Sequence, residues 1–195
     1  MNSADAVPTG TRERLIEAAI TLMRRSGLSG AGINEMVRES GVPKGSVYYY
    51  FPKGKQQIVK EGLEQYSKRV VAFIDSTLST KRKPDEKIKA LFNAFAERIE
   101  LGDFRHSCPV GTVCLDLDSE LDDLRFVLAA AFDQYVKAIE AHFPFQDRRR
   151  AKSFAGLLLT AIEGGYIRSR ADRSSKPFRE AGAWLAELVA GAGGK

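Results

Sequence analysis

Cysteine is scarce in this 195-residue chain, with only Cys108 and Cys114 present. Their spacing is not that of a CxxC motif, and two thiols cannot build a disulfide framework. Both are expected as reduced thiols in a reducing compartment. Histidine is equally rare. His106 and His142 are the only two, with no metal-ligand cluster or GxSxG motif beside them, so neither metal nor hydrolase chemistry has its residues. Long apolar runs are missing too: stretches such as FVLAAAF at 126–132 reach about a third of the roughly 20 residues a membrane span needs. The opening MNSADAVPTG carries an acidic residue and no apolar core, so it is no secretory signal, and a cytoplasmic location is expected. Strand-like alternation is also absent, as are internal repeats.

What is there is a chain with 44% hydrophobic and 28% charged residues, the composition of a folded protein. Its length suits one substantial domain, or a small one joined to a larger one. The net charge of +5 is unevenly spread. Residues 1–60 hold 9 Lys/Arg against 5 Asp/Glu, while residues 61–195 hold 21 against 20. A basic first third on a near-neutral remainder suggests a head that meets a polyanion, because phosphate contacts need clustered cations. A merely solvated basic face is the alternative, and charge alone leaves both open.

Helical periodicity runs through nearly everything. Thr11 is placed to cap a first helix in which Leu15, Ala18, Ala19, Leu22 and Met23 recur at spacings of three and four, and Gly27 stops it. A shorter pattern over Ile33, Met36 and Val37 ends at Ser40-Gly41. A third starts near Pro43, carries Val47 and Phe51, and stops at Pro52 and Gly54. The last two, joined by a tight glycine-containing turn, match a helix-turn-helix unit at residues 32–51. Further helices are expected from Lys55 towards Leu78, over 85–101, and over 120–142 with Leu121, Leu124 and Leu128 inside. Two more follow, one from a cap at Asp147 through Ile162 and one around Trp184, Leu185 and Leu188. Stretches 79–85, 101–112 and 169–177 read as irregular. The expected fold class is all-α with about nine helices: a flexible N-terminus over 1–10, a three-helix head over 11–66, and a larger helical body over 67–195.

The stretch GVPKGSVYYYFPKGK at 41–55 poses the functional question. Successive helical residues point about 100° apart, so Tyr48, Tyr49 and Tyr50 cannot all be buried on one face. With Val47 and Phe51 inward, Lys44, Ser46, Tyr48 and Tyr49 face out. Gly45 lets a sugar-phosphate wall come close, Tyr50 sits at the helix end, and Lys55 can reach the same strand. Ammonium and hydroxyl groups bond phosphate oxygens, and aromatic edges meet thymine methyls, as a recognition helix requires. A packed aromatic cluster is the alternative for any YYYF run. The preceding ESGVPKGS turn and the charge asymmetry favour exposure.

These residues carry a family resemblance. The span 11–66, through TRERLIEAAITLMRRSG and INEMVRESGVPKGSVYYYFPKGK, resembles the DNA-binding domain of the TetR family of bacterial transcriptional regulators. The family's turn appears as Gly41-Val42-Pro43-Lys44-Gly45 and its aromatic helix end as Tyr48-Tyr49-Tyr50-Phe51. The resemblance implies that Lys44, Gly45, Ser46, Tyr48, Tyr49, Tyr50 and Lys55 contact double-stranded operator DNA. Three departures stand out. Tyr50 replaces the usual histidine, and Pro43 replaces a Ser or Thr. Ala31-Gly32 stands where a Thr-Ser cap is common, leaving the second helix with less capping. The KGK at 53–55 and the Cys108-Pro109 pair resemble a subgroup with lincomycin-resistance and flavonoid-responsive repressors.

In the body, the resemblance implies a small hydrophobic effector whose binding shifts the fourth helix, and a twofold mate on the last two helices. Phe73, Phe92, Phe95, Phe104 and Phe132, with His106, Cys108, Thr112 and Arg105 as polar groups, are candidate pocket residues; packing within the core is the alternative for each. Phe154, Leu158, Ala161, Gly165, Trp184 and Leu188 are candidate homodimer contacts, again with an intrachain core as the alternative. No cofactor is expected. Catalysis finds no support: Gly54-Lys55 is no P-loop, since Tyr49 stands where its glycine belongs and Gln56 follows. The acidic residues Asp116, Asp118, Glu120, Asp122 and Asp123 lack EF-hand order and suit a helix start. A tyrosine-faced protein-interaction module and a cysteine redox sensor are the remaining rivals.

Overall fold

The structure is a computed structural model and describes residues 10–79, 83–117, 122–143, 145 and 147–192. Residues 1–9 of the expected flexible N-terminus lie outside these, as do 80–82 of the break after Leu78, Leu121, and Asp118 and Glu120 of the acidic run. Among the described residues there are nine α-helices and no strand. They are α1 Thr11–Ser26, α2 Ile33–Ser40, α3 Lys44–Tyr50, α4 Gly54–Leu78, α5 Pro84–Leu101, α6 Pro109–Leu115, α7 Asp122–Glu140, α8 Arg148–Asp172 and α9 Lys176–Ala192.

Several boundaries differ from the sequence expectation, each for a local reason. Thr11 does not cap α1; it is the first helical residue and Gly10 holds the cap position, with no side-chain bond. Pro43 likewise precedes α3 instead of opening it. The irregular stretch expected over 101–112 ends at Cys108, because Pro109 opens α6 at a position where its missing N–H costs nothing. Helix α8 continues to Asp172, into the stretch read as linker, since Ser169 is buried. The Asp147 cap is as expected, its carboxylate accepting from the backbone N–H of Arg149 at 2.8 Å.

Packing divides the chain into two compact units. The first contains the described residues up to Arg69 together with Cys108–Ala131. In it α1 packs on α2, α3 and α6 over buried Leu15, Ala19, Met23, Met36, Val47, Phe51, Ile58 and Leu63. At Gly62 a Cβ would lie 3.2 Å from the Met23 side chain, so α4 crosses close to α1 there. Ion pairs Arg12–Glu61 and Arg69–Glu17 tie the same two helices.

The second unit contains Val70–Ser107 and the described residues from Phe132 onward. Helix α9 lies against α5 and α8, and Phe92, Phe95, Tyr166 and Phe178 fill the space among them. The approach of α9 to α5 depends on Gly182, where a Cβ would sit 2.5 Å from Phe92 Cβ. Hydrogen bonds from Ser175 and Arg179 hold the Glu100 carboxyl below the usual carboxylate range.

Gly182→Ala is expected to overpack this contact and cost about 1–3 kcal/mol. Gly45→Ala, whose Cβ would meet nothing within 4 Å, should be neutral or slightly stabilising, because alanine is the better helix former. Thermal unfolding followed by circular dichroism checks the pair.

Candidate nucleic-acid interface

The seven-residue helix α3 is built from behind. Gly41 ends α2 in the left-handed conformation at φ 64°, its N–H bonded to the Val37 carbonyl. The Ser40 hydroxyl accepts from the Val42 N–H at 3.2 Å, and the Val42 side chain turns into the core. The turn therefore delivers α3 with one fixed face inward. Val47 and Phe51 are 0% exposed, and the Arg12 guanidinium covers the Phe51 ring at 5.1 Å.

Four residues apart on one side, these two leave the rest of α3 to solvent. Tyr48 is 56%, Tyr49 79% and Tyr50 37% exposed. Lys44 and Gly45 are exposed and Ser46 half-buried. The rings are not loose: Tyr49 and Tyr50 meet edge to face at 4.9 Å between centroids, and Tyr48 lies beside Gly54. A Cβ added at Gly45 would meet nothing within 4 Å, so no neighbour within the chain requires a glycine there. As the departure at Ala31-Gly32 suggested, α2 starts without a side-chain cap.

The basic residues of this unit sort into two groups. Arg12 pairs with Glu61 and Arg25 with Glu39, and the half-buried Lys55 donates Nζ to the Leu28 carbonyl at 2.8 Å. Lys55, expected on DNA, thus also holds a turn of its own chain. Arg14, Arg38, Lys44, Lys53 and Lys60 are exposed and form no ion pair with a described residue.

The structure divides the predicted pocket. Phe73, Phe92, Phe95, Phe104, His106 and Phe132 fall in the second unit, Cys108 and Thr112 in the first. The Thr112 hydroxyl donates to the Met23 carbonyl at 2.7 Å, and Cys108 is buried, so both serve the head. Phe92 and Phe95 are sealed in the core. Phe73 is half-buried, edge-on to Phe95, with the Arg98 guanidinium 4.5 Å away. Phe104, His106 and Phe132 are half-buried. An open cleft of about 1030 Å³ at the α7–α8 turn is lined by other residues, among them Lys137, Phe143, Phe145 and Arg149.

The predicted dimer residues divide as well. Leu158 is 0% exposed, and a Cβ at Gly165 would lie 2.7 Å from the Phe178 ring. Leu158 is thus enclosed within the chain and Gly165 packs against α9, as the intrachain alternative has it. Phe154 and Ala161 are half-buried, Phe154 between the rings of Phe143 and Phe145. Trp184 and Leu188 remain 68% and 67% exposed.

A short helix reached by a tight turn and anchored on two others defines the helix-turn-helix class, and comparisons with known proteins agree. Residues 15–61 match the profile "Bacterial regulatory proteins, tetR family", and residues 84–183 match "Transcriptional regulator LmrA/YxaF-like, C-terminal domain". The chain is 26% identical over 181 residues to the HTH-type transcriptional regulator LmrA of Bacillus subtilis (strain 168), covering 92% of this chain and 96% of that one. It is 27% identical over 177 residues to the HTH-type transcriptional repressor DhaR of Mycobacterium sp. (strain GP1), covering 87% of each. The regulatory protein TetR from Rhodobacter sphaeroides shares its fold at a TM-score of 0.81 and 18% identity, over 91% of this chain and 97% of that one. The chain belongs to the TetR family of bacterial transcriptional regulators.

Phe51→Ala is expected to cost about 3–5 kcal/mol, as a filled core position is emptied. Tyr49→Ala should change stability by less than about 0.5 kcal/mol, because its ring faces solvent. Urea titration of the two variants separates the anchoring from the outward residues.

Proposed function

We propose that the chain is a homodimeric repressor that holds operator DNA with the outward face of α3 and leaves it when a small hydrophobic effector binds the body. The observation that carries this reading is the split of one short helix and its C-cap: Val47 and Phe51 are fully enclosed while three consecutive tyrosines and Lys44 stay open. Large exposed aromatics beside unpaired cations mark a binding surface, and phenols with ammonium groups suit phosphates and base edges. Lys44, Gly45, Ser46, Tyr48, Tyr49 and Tyr50 are the contacts, with the cations Arg38 and Lys53 available to flanking phosphates. DhaR, a repressor by name, supports the sign of regulation. DNA binding places the protein in the cytoplasm.

One seven-residue helix reads too few base pairs, which argues for a twofold mate. Exposed Trp184 and Leu188 on α9, with Leu157 and Ile167 on α8, offer it an apolar surface. Gly156 and Gly164 on α8 have open space where a Cβ would be, allowing close helix approach. For the effector, half-buried Phe73, Phe104 and Phe132 are the predicted pocket rings with surface still available.

The test is selection of a duplex from a random pool by the wild-type protein, followed by titration of variants. Tyr48→Ala and Lys44→Ala should each weaken binding by about 1–3 kcal/mol, and Lys44→Ala should flatten the salt dependence by about one counterion. Gly45→Ala should fold normally yet bind less tightly, its methyl group meeting the backbone of DNA. Wild-type affinity in the Tyr48 and Lys44 variants would refute this face. Insensitivity to salt would favour a protein partner on the same tyrosines. Trp184→Asp combined with Leu188→Asp should give monomers in sedimentation.

A further inference from the structure

The α1–α2 turn is held by residues from a distant part of the chain. Asp116, just past α6, accepts hydrogen bonds from both the backbone N–H and the hydroxyl of Ser29, each at 3.0 Å and 87 residues away in sequence. One helical turn earlier, the Thr112 hydroxyl donates to the Met23 carbonyl in the last turn of α1 at 2.7 Å. Buried Val110 and Val113 seat α6 against α1. Gly27 completes the fit: it ends α1 at φ 68°, and a Cβ there would lie 2.3 Å from the Asp116 carboxylate. From the other side, Lys55 holds the Leu28 carbonyl.

This contact has a consequence for DNA recognition. Within the turn, the Gly30 N–H bonds to the Ser26 carbonyl and the Ala31 N–H to the Leu28 carbonyl; the Ser29 N–H takes its acceptor from Asp116. The direction in which α2 leaves α1 thus depends on a group outside the helix-turn-helix, and α3 is carried on α2. The Asp116–Ser29 bonds lie at the surface, beside an open cleft of about 390 Å³ that both residues line. Water competes for such bonds, so they hold the turn without locking it.

We propose that Asp116, assisted by Thr112, is a positioning residue for DNA binding: it latches the α1–α2 turn to α6 and so sets where α2 and α3 sit on α1. The inference rests on the reading of the α3 face as the DNA surface. It makes α6 a structural part of the head.

The full-length protein tests it with the duplex selected by the wild type. Asp116→Ala is expected to weaken binding about 5- to 30-fold, the factor that one or two lost bonds imply. The measurement is made at a temperature where the variant is fully folded. The slope of affinity against salt should stay unchanged, since Asp116 touches no phosphate, whereas Lys44→Ala lowers it. Ser29→Ala should weaken binding less, as its N–H still reaches the carboxylate, and adding it to Asp116→Ala should do nothing further. Hydrogen exchange should quicken over residues 28–50 and stay unchanged in α5, α8 and α9. Wild-type affinity, additive losses, or unaltered exchange over 28–50 would each overturn the latch. If Asp116→Ala fails to fold, Thr112→Val carries the affinity, salt-slope and exchange comparisons. If the wild type selects no duplex, the DNA reading fails on its own, and the exchange measurement still decides whether Asp116 positions α2 and α3.

Discussion

The burial of Val47 and Phe51 is the constraint on which the rest depends. Val47 on the seven-residue helix and Phe51 at its C-cap, four residues on, define one inward line, and most of the rest of α3 then faces away from the core. The tyrosines are exposed because the alternative would pull Val47 and Phe51 into water. Each buried apolar side chain stabilises by about 1.5–3 kcal/mol, so that exchange is unfavourable even against the gain from covering a phenol. The outward surface follows from the inward one.

That anchoring works only if α1 and α2 present a fixed floor, and the floor is assembled from several directions. Helix α4 crosses α1 at Gly62 and is tied to it by Arg12–Glu61 and Arg69–Glu17. Helix α6 grips the end of α1 through Thr112, and Lys55 and Asp116 hold the turn that follows. Much of the basic surplus of the first 60 residues is therefore spread between two tasks. Arg12, Arg25 and Lys55 bind the head to itself, while Lys44 and Lys53 beside the tyrosines remain open.

The second unit follows a different logic, of close approach between helices. Gly182 and Gly165 admit the rings of Phe92 and Phe178, and the aromatic core closes around them. The same helix α8 turns other small residues, Gly156 and Gly164, towards open space. Small residues on α8 thus differ in surroundings, Gly165 packing inward and Gly156 and Gly164 facing open space.

Periodicity was enough to establish the all-α class and the inward line of Val47 and Phe51, because that line is a local property set by spacings of three and four; the short α6 began inside a stretch read as irregular, and the outward tyrosines needed the turn and the charge asymmetry as well. The turn at Ser40–Pro43 was legible too, because glycine admits the left-handed conformation and proline fixes φ wherever they stand. Which side of α8 is core could not be read, since Leu158 and Gly165 carry the same residue types as an interface and only the position of α9 separates them. The fates of Lys55, Thr112 and Asp116 were likewise invisible. Their partners lie 27, 89 and 87 residues away, and a hydrogen bond over such a separation exists only once the chain has folded back on itself.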